Sequence, residues 1–205
     1  DVERSRGLGD VYKRQEIVSI EDFIQDVAGI RTCDNIELLF EFYDVYLELT
    51  PPEKQQSFEL FANWAKTLLQ DFNEIDRYLL KPSHIFSYLK DIEDIKHWSL
   101  DLEKRTTMIE NYLEFWNLLP LYYESLYDHL LRKGIGYQGL IYREAVENLN
   151  HFSEALGSKK LIFAGFNALN QAEEKIIQHL LFNDQAKVYW DVDAAFLNDS
   201  FHDAG

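Results

Sequence analysis

Between positions 20 and 156, hydrophobic residues recur every three or four positions, which is the period of an α-helix. The first such group, 20–27, lies between Ser19, a typical N-cap residue, and Gly29, a typical helix stop. The same period predicts a helix over 35–49 behind Asp34 and a third helix over 52–76, with Pro52 in the first turn and either a continuation or a kink at 71–76. Further helices are predicted over 85–89, over 102–131 with a kink at Pro120, and over 140–156. Residues 98–102 are predicted to be a connector, and Gly134, Gly136 and Gly139 to form a turn.

The pattern changes at Lys160. Residues 161–166 form an unbroken apolar run, which predicts a buried strand, and 186–193 predict a second strand. An amphipathic helix behind Asn170 separates them, so the segment is a β-α-β unit whose right-handed crossover makes the strands parallel. A sheet of two strands is not stable alone, so further strands are expected outside this chain. The predicted fold class is α/β, mostly α, with a helical part over 16–158 and a partial α/β part over 159–205.

The composition indicates a sizeable core. Of the 205 residues, 46% are hydrophobic and 15% are aromatic, and so much ring surface has to be buried, which excludes disorder for most of the chain. Cys33 is the one cysteine, so an internal disulfide and a cysteine-based zinc site are both excluded. No apolar run reaches the roughly 18 to 20 residues of a membrane span, and no secretory leader is visible. We therefore expect a cytoplasmic protein with no membrane partner.

The charge balance argues against a nucleic-acid-binding surface on this chain. The chain carries 20 Lys and Arg against 36 Asp and Glu, a formal net charge of −16. Such a surface repels phosphate backbones over a screening length of roughly 8 to 10 Å. Any contact with DNA is expected to be local or to be made by other domains.

The first 15 residues have to be considered separately, because Ser5–Gln15 (SRGLGDVYKRQ) reverse-translates, codon for codon, into a transposase-type sequencing adaptor. The alternative is a basic, glycine-containing tail. On the adaptor interpretation 1–15 is non-native, and the chain is expected to be a piece of a longer protein. Removing the segment takes away four basic and three acidic residues, so the net charge changes only from −16 to −17.

Candidate chemistry is sparse. Neither a Walker A motif nor a dinucleotide fingerprint follows a strand, and the spacing G-x-G-x-x-G at 134–139 stands between two predicted helices, where a turn is expected instead. Asp191 and Asp193 are the candidate site residues, because carboxylates at the carboxyl end of a strand can hold a metal or a nucleotide. The alternative is an acidic strand end that faces solvent. No cofactor is predicted for this chain.

A second acidic group has a structural explanation. Asp71, Glu74 and Asp76 have the composition of a cation-binding loop but lack the frame of a calcium site. Helical spacing favours a structural role, in which Phe72 and Ile75 pack and the acids cap the helix or pair with Lys and Arg. The six histidines show no metal-ligand spacing and no serine has a G-x-S-x-G frame, so the sequence carries no complete catalytic set.

Four stretches of the chain resemble a known family. Residues 68–80 (LLQDFNEIDRYLL), 133–145 (KGIGYQGLIYREA), 160–172 (KLIFAGFNALNQA) and 187–199 (KVYWDVDAAFLND) are similar to the N-terminal, helicase-like part of bacterial AddB-type helicase–nuclease subunits. The similarity is to the Bacteroidetes-like members that carry a C-terminal PD-(D/E)XK nuclease domain. It covers about 17–205, and the four stretches are specific only as a set.

The resemblance implies an all-helical insertion followed by a truncated portion of a RecA-like, P-loop-type domain. In an active helicase of this type, a strand ends in Asp-Glu, which holds magnesium. This chain has FAGFN at 163–167 instead, so ATP hydrolysis at this site is expected to be strongly impaired. The Walker A segment would lie upstream and the nuclease carboxylates downstream. Mg²⁺ is therefore expected only in the nuclease domain of the parent protein.

Two functional interpretations follow, from different classes. The first is a non-catalytic scaffold within a DNA-end-processing nuclease, which acts in double-strand-break repair, contacts DNA through other domains and works with a helicase or nuclease partner subunit. The second is a stand-alone helical protein-interaction module with no DNA or nucleotide activity. A downstream P-D…(D/E)-x-K motif is expected only for the first.

Overall fold

The computed structural model describes residues 16–89, 107–166 and 168–191, and it gives only the backbone for 107–114. The described chain is mostly helical with four short strands, which confirms the coarse fold class. Its elements are, in order, α1 (Ile20–Ala28), β1 (Arg31–Thr32), α2 (Asn35–Leu49), a 3-10 turn (Pro52–Lys54), α3 (Phe58–Arg77), α4 (82–89), α5 (Thr107–Lys133), β2 (Ile135–Gly136), α6 (Gln138–Glu147), α7 (Leu149–Leu156), β3 (Leu161–Ala164), α8 (Gln171–Phe182) and β4 (Ala186–Tyr189).

Capping residues define the helix ends that the sequence predicted. The Ser19 side chain accepts a hydrogen bond from the Asp22 amide, and Gly29 ends α1 with a φ of 70°. Asp34 caps α2 in the same way. Asn170 forms a reciprocal capping box with Glu173 at the start of α8. Each cap satisfies amide or carbonyl groups that the helix itself leaves unpaired, so these boundaries are confirmed.

The third helix starts later than predicted. Pro52–Lys54 forms a separate 3-10 turn, and α3 begins only at Phe58. The side chain of Gln55 explains the break, because its amide donates to the carbonyl oxygens of Leu47 (2.9 Å) and Thr50 (2.8 Å) at the end of α2. From Phe58, α3 runs without interruption to Arg77.

The last predicted helix of the helical part is divided in two. Asn148 separates α6 from α7, and its side-chain amide donates to the carbonyl oxygen of Ala28 at 3.3 Å. The long helix α5 includes Pro120, and the kink predicted at that residue stays a prediction. The predicted connector 98–102 lies outside the described residues.

A small parallel sheet corrects the prediction of a turn at 134–139. Ile135–Gly136 pairs with Arg31–Thr32, with Arg31 opposite Ile135. Of the three glycines, Gly134 has a positive φ (66°), whereas Gly139 belongs to α6. The turn is therefore confined to one residue. Two-residue strands are too short to show a periodic pattern, so neither strand could be predicted.

The predicted β-α-β unit is confirmed. Strands β3 and β4 are parallel, with Phe163 opposite Val188, and α8 connects them. The prediction that β3 is buried is wrong, because Phe163 is its one buried residue and the side chain of Ile162 is 68% exposed. Among the described residues, helices cover only one face of this sheet, on which Phe163 contacts Phe23 of α1.

The hydrophobic core is rich in aromatic residues and continuous along the described chain. Phe42, Phe61, Phe72 and Tyr122 join α2, α3 and α5 through edge-on and tilted ring contacts. Phe23 contacts Phe152 as well as Phe163, so the same core extends into the α/β part. In the described ranges, no helix combines the length and the apolar character that a membrane crossing requires.

Candidate functional site

Of the two predicted site residues, the structure describes Asp191 alone. β4 ends at Tyr189, so the exposed Asp191 lies two residues beyond the strand rather than within its predicted acidic end, and Asp193 lies outside the described residues. Within the ranges that the structure describes, no three His, Cys, Asp or Glu residues are placed to hold a metal ion. The exposure of Asp191 agrees with the alternative of an acidic strand end in solvent.

The carboxyl end of β3 has an apolar character. The strand ends at Ala164, Gly165 follows with a φ of 83°, and Phe166 contacts Phe163 and Trp190 with its ring. Asn167 lies outside the described residues. No carboxylate stands at the described end of β3, where a helicase of the predicted type would hold magnesium.

Gly139 has a packing role that the sequence did not reveal. Its amide donates to Asn73 Oδ1 at 2.8 Å, and a Cβ atom at this position would lie 2.2 Å from the backbone oxygen of Asn73. Real Cβ atoms do not approach a backbone atom that closely, so any side chain would push α6 away from α3. The G-x-G-x-x-G spacing is thus explained in part by close helix packing.

A buried polar cluster is the most unusual feature of the described chain. Asp76, near the end of α3, is fully buried and accepts hydrogen bonds from Tyr123 of α5, from Tyr137 (2.5 Å) and from Nε of Arg143 in α6 (2.6 Å). We call these four residues the Asp76 cluster. Burying a carboxylate is costly unless it is paired and hydrogen-bonded, and Asp76 has both forms of compensation.

Arg143 extends the cluster to the backbone. Its Nη2 donates to the carbonyl oxygens of Ile75 (3.0 Å) and Leu80 (2.6 Å). These acceptors lie at the end of α3 and in the segment that follows it, where the last carbonyl groups of a helix have no partner inside it. One guanidinium therefore neutralises Asp76 and completes the hydrogen bonding of this helix end.

The electrostatics of the cluster are those of a desolvated ion pair. Burial raises the pKa of the Asp76 carboxyl, and the hydrogen bonds from Tyr123 and Tyr137 and the charge of Arg143 oppose that rise. Burial also raises the pKa of Tyr123 and of Tyr137, and the negative charge of Asp76 adds to the effect. For Arg143, burial lowers the pKa, but Asp76, Tyr123 and Tyr127 together outweigh burial and the net shift is upward. Both tyrosines are therefore neutral donors at physiological pH.

The structural interpretation of 71–76 is confirmed for four of its members. Phe72 and Ile75 are buried, and Asp76 pairs with Arg143. Glu74 pairs with Arg77 at 3.8 Å, and both side chains are exposed. Asp71 borders an apolar cavity of about 740 Å³ between α3, α4 and α5, where partial burial raises its pKa.

A second polar group joins α2 to α5. Glu41 accepts hydrogen bonds from Lys133 Nζ (2.5 Å) and pairs with His129 Nε2 (2.6 Å). Burial acts to raise the pKa of Glu41, but its hydrogen bonds with Lys133 and His129 outweigh burial, so the pKa is lowered. Like the Asp76 cluster, this group fixes helices rather than presenting a reactive atom.

Comparison of the chain with protein-family models, with curated proteins and with solved structures gave no match. The geometry of the described residues is thus the only structural basis for a functional conclusion.

Proposed function

We propose that this chain is a non-catalytic scaffold segment of an AddB-type helicase–nuclease subunit, which acts in the processing of DNA double-strand breaks for repair. In this proposal β3, α8 and β4 belong to a RecA-like domain and the preceding helices form its insertion. The nuclease domain of the parent protein, with its Mg²⁺, and a partner subunit supply the chemistry and contact DNA in the cytoplasm.

One observation carries the proposal. Two stretches that carry the family resemblance, 68–80 and 133–145, interlock in the structure although they are far apart in sequence. Asp76 and Asn73 come from the first stretch, and Tyr137, Gly139 and Arg143 from the second. The two stretches therefore contain residues that hold α3 against α6, which supports the proposal that they belong to one helical unit.

Two further observations support the absence of catalysis. The described end of β3 has no carboxylate that could hold magnesium, and Asp191, two residues beyond β4, belongs to no described group of three acids, histidines or cysteines that could hold a metal ion. The polar groups of the Asp76 cluster are satisfied by one another.

The experiment is a binding and turnover assay on the chain at physiological salt, with blunt and 3′-tailed DNA duplexes and with ATP and Mg²⁺. We expect no tight DNA complex, because phosphate groups are repelled by a net charge of −16, and no ATP hydrolysis above background. A tight, specific DNA complex would overturn the proposal. ATP hydrolysis that Asp191→Asn abolishes would also overturn it.

A further inference from the structure

We draw no further inference here: the strongest candidate, the apolar cavity of about 740 Å³ between α3, α4 and α5, carries none because nothing among the described residues shows what covers it.

Discussion

Replacing Asp76 with alanine tests the physical role of the Asp76 cluster. The substitution removes the acceptor of three hydrogen bonds and leaves the guanidinium of Arg143, whose side chain is only 17% exposed, without its counter-charge. Breaking a buried ion pair by removing one partner costs about 3–5 kcal/mol. The orphaned hydroxyl groups of Tyr123 and Tyr137 contribute to the same penalty, since unsatisfied buried donors are themselves unfavourable.

The matched control is Glu74→Ala, an acid on the same helix. Its contact with Arg77 is 3.8 Å long, and the two side chains are 52% and 38% exposed. Exposed pairs of this kind contribute about 0–1 kcal/mol, so the control is expected to change stability by less than about 1 kcal/mol. The two variants remove the same type of charge from one helix and differ in burial.

The assay is urea denaturation followed by circular dichroism, with the free energy of unfolding extrapolated to water. We expect the midpoint of Asp76→Ala to fall sharply while that of Glu74→Ala stays close to the parent value. Equal, small losses in both variants would refute the reasoning that Asp76 is a buried, compensated charge. The double variant Asp76→Leu, Arg143→Met should recover part of the loss, because no unpaired charge then remains.

Three other predictions concern single positions. Gly139→Ala should lower the free energy of unfolding by about 2 kcal/mol or more, because the added Cβ meets the α3 backbone. At Gly29, which has a φ of 70°, an added Cβ meets no atom within 4 Å, so Gly29→Ala should cost about 1–2 kcal/mol from backbone strain alone. Equal losses for the two variants in urea denaturation would contradict this. Burial raises the pKa of Cys33 to about 11, so a thiol reagent at pH 8 should label it only after unfolding. Rapid labelling of the folded chain would contradict the burial of this thiol. The lowered pKa of Glu41 stabilises the fold above about pH 4.3, and this contribution is lost as the pH falls through the folded-state pKa. Glu41→Gln should therefore reduce the loss of stability in acid. An unchanged dependence of stability on pH would show that the pairing of Glu41 with Lys133 does not contribute.

Local features of the fold were predictable because short-range chemistry determines them. Ser19, Asp34 and Asn170 each cap a helix with their own side chain, and the hydrophobic period behind each cap is regular. The start of α3 was not predictable, because Gln55 caps a helix that precedes it rather than one that follows. The exposure of Ile162 could not be read from an apolar run, since the run does not show how many faces of a sheet are covered.

The Asp76 cluster was beyond sequence reasoning for a different reason. Its partners lie 47, 61 and 67 positions away from Asp76, on other elements, and no local pattern marks their meeting. The sequence did favour a structural role for the acids of 71–76, with pairing to Lys or Arg among the options. Which basic residue would bind, and that two tyrosines would join it, required the packing of α3 against α5 and α6.

The proposed scaffold role is tested most directly by reading the complete gene from the source DNA across both ends of this chain. If the chain is a scaffold segment of this family, the gene has one long reading frame with a downstream P-D…(D/E)-x-K motif and with no adaptor codons before Glu16. A frame that ends soon after Gly205 without that motif would contradict the account and leave a stand-alone helical interaction module.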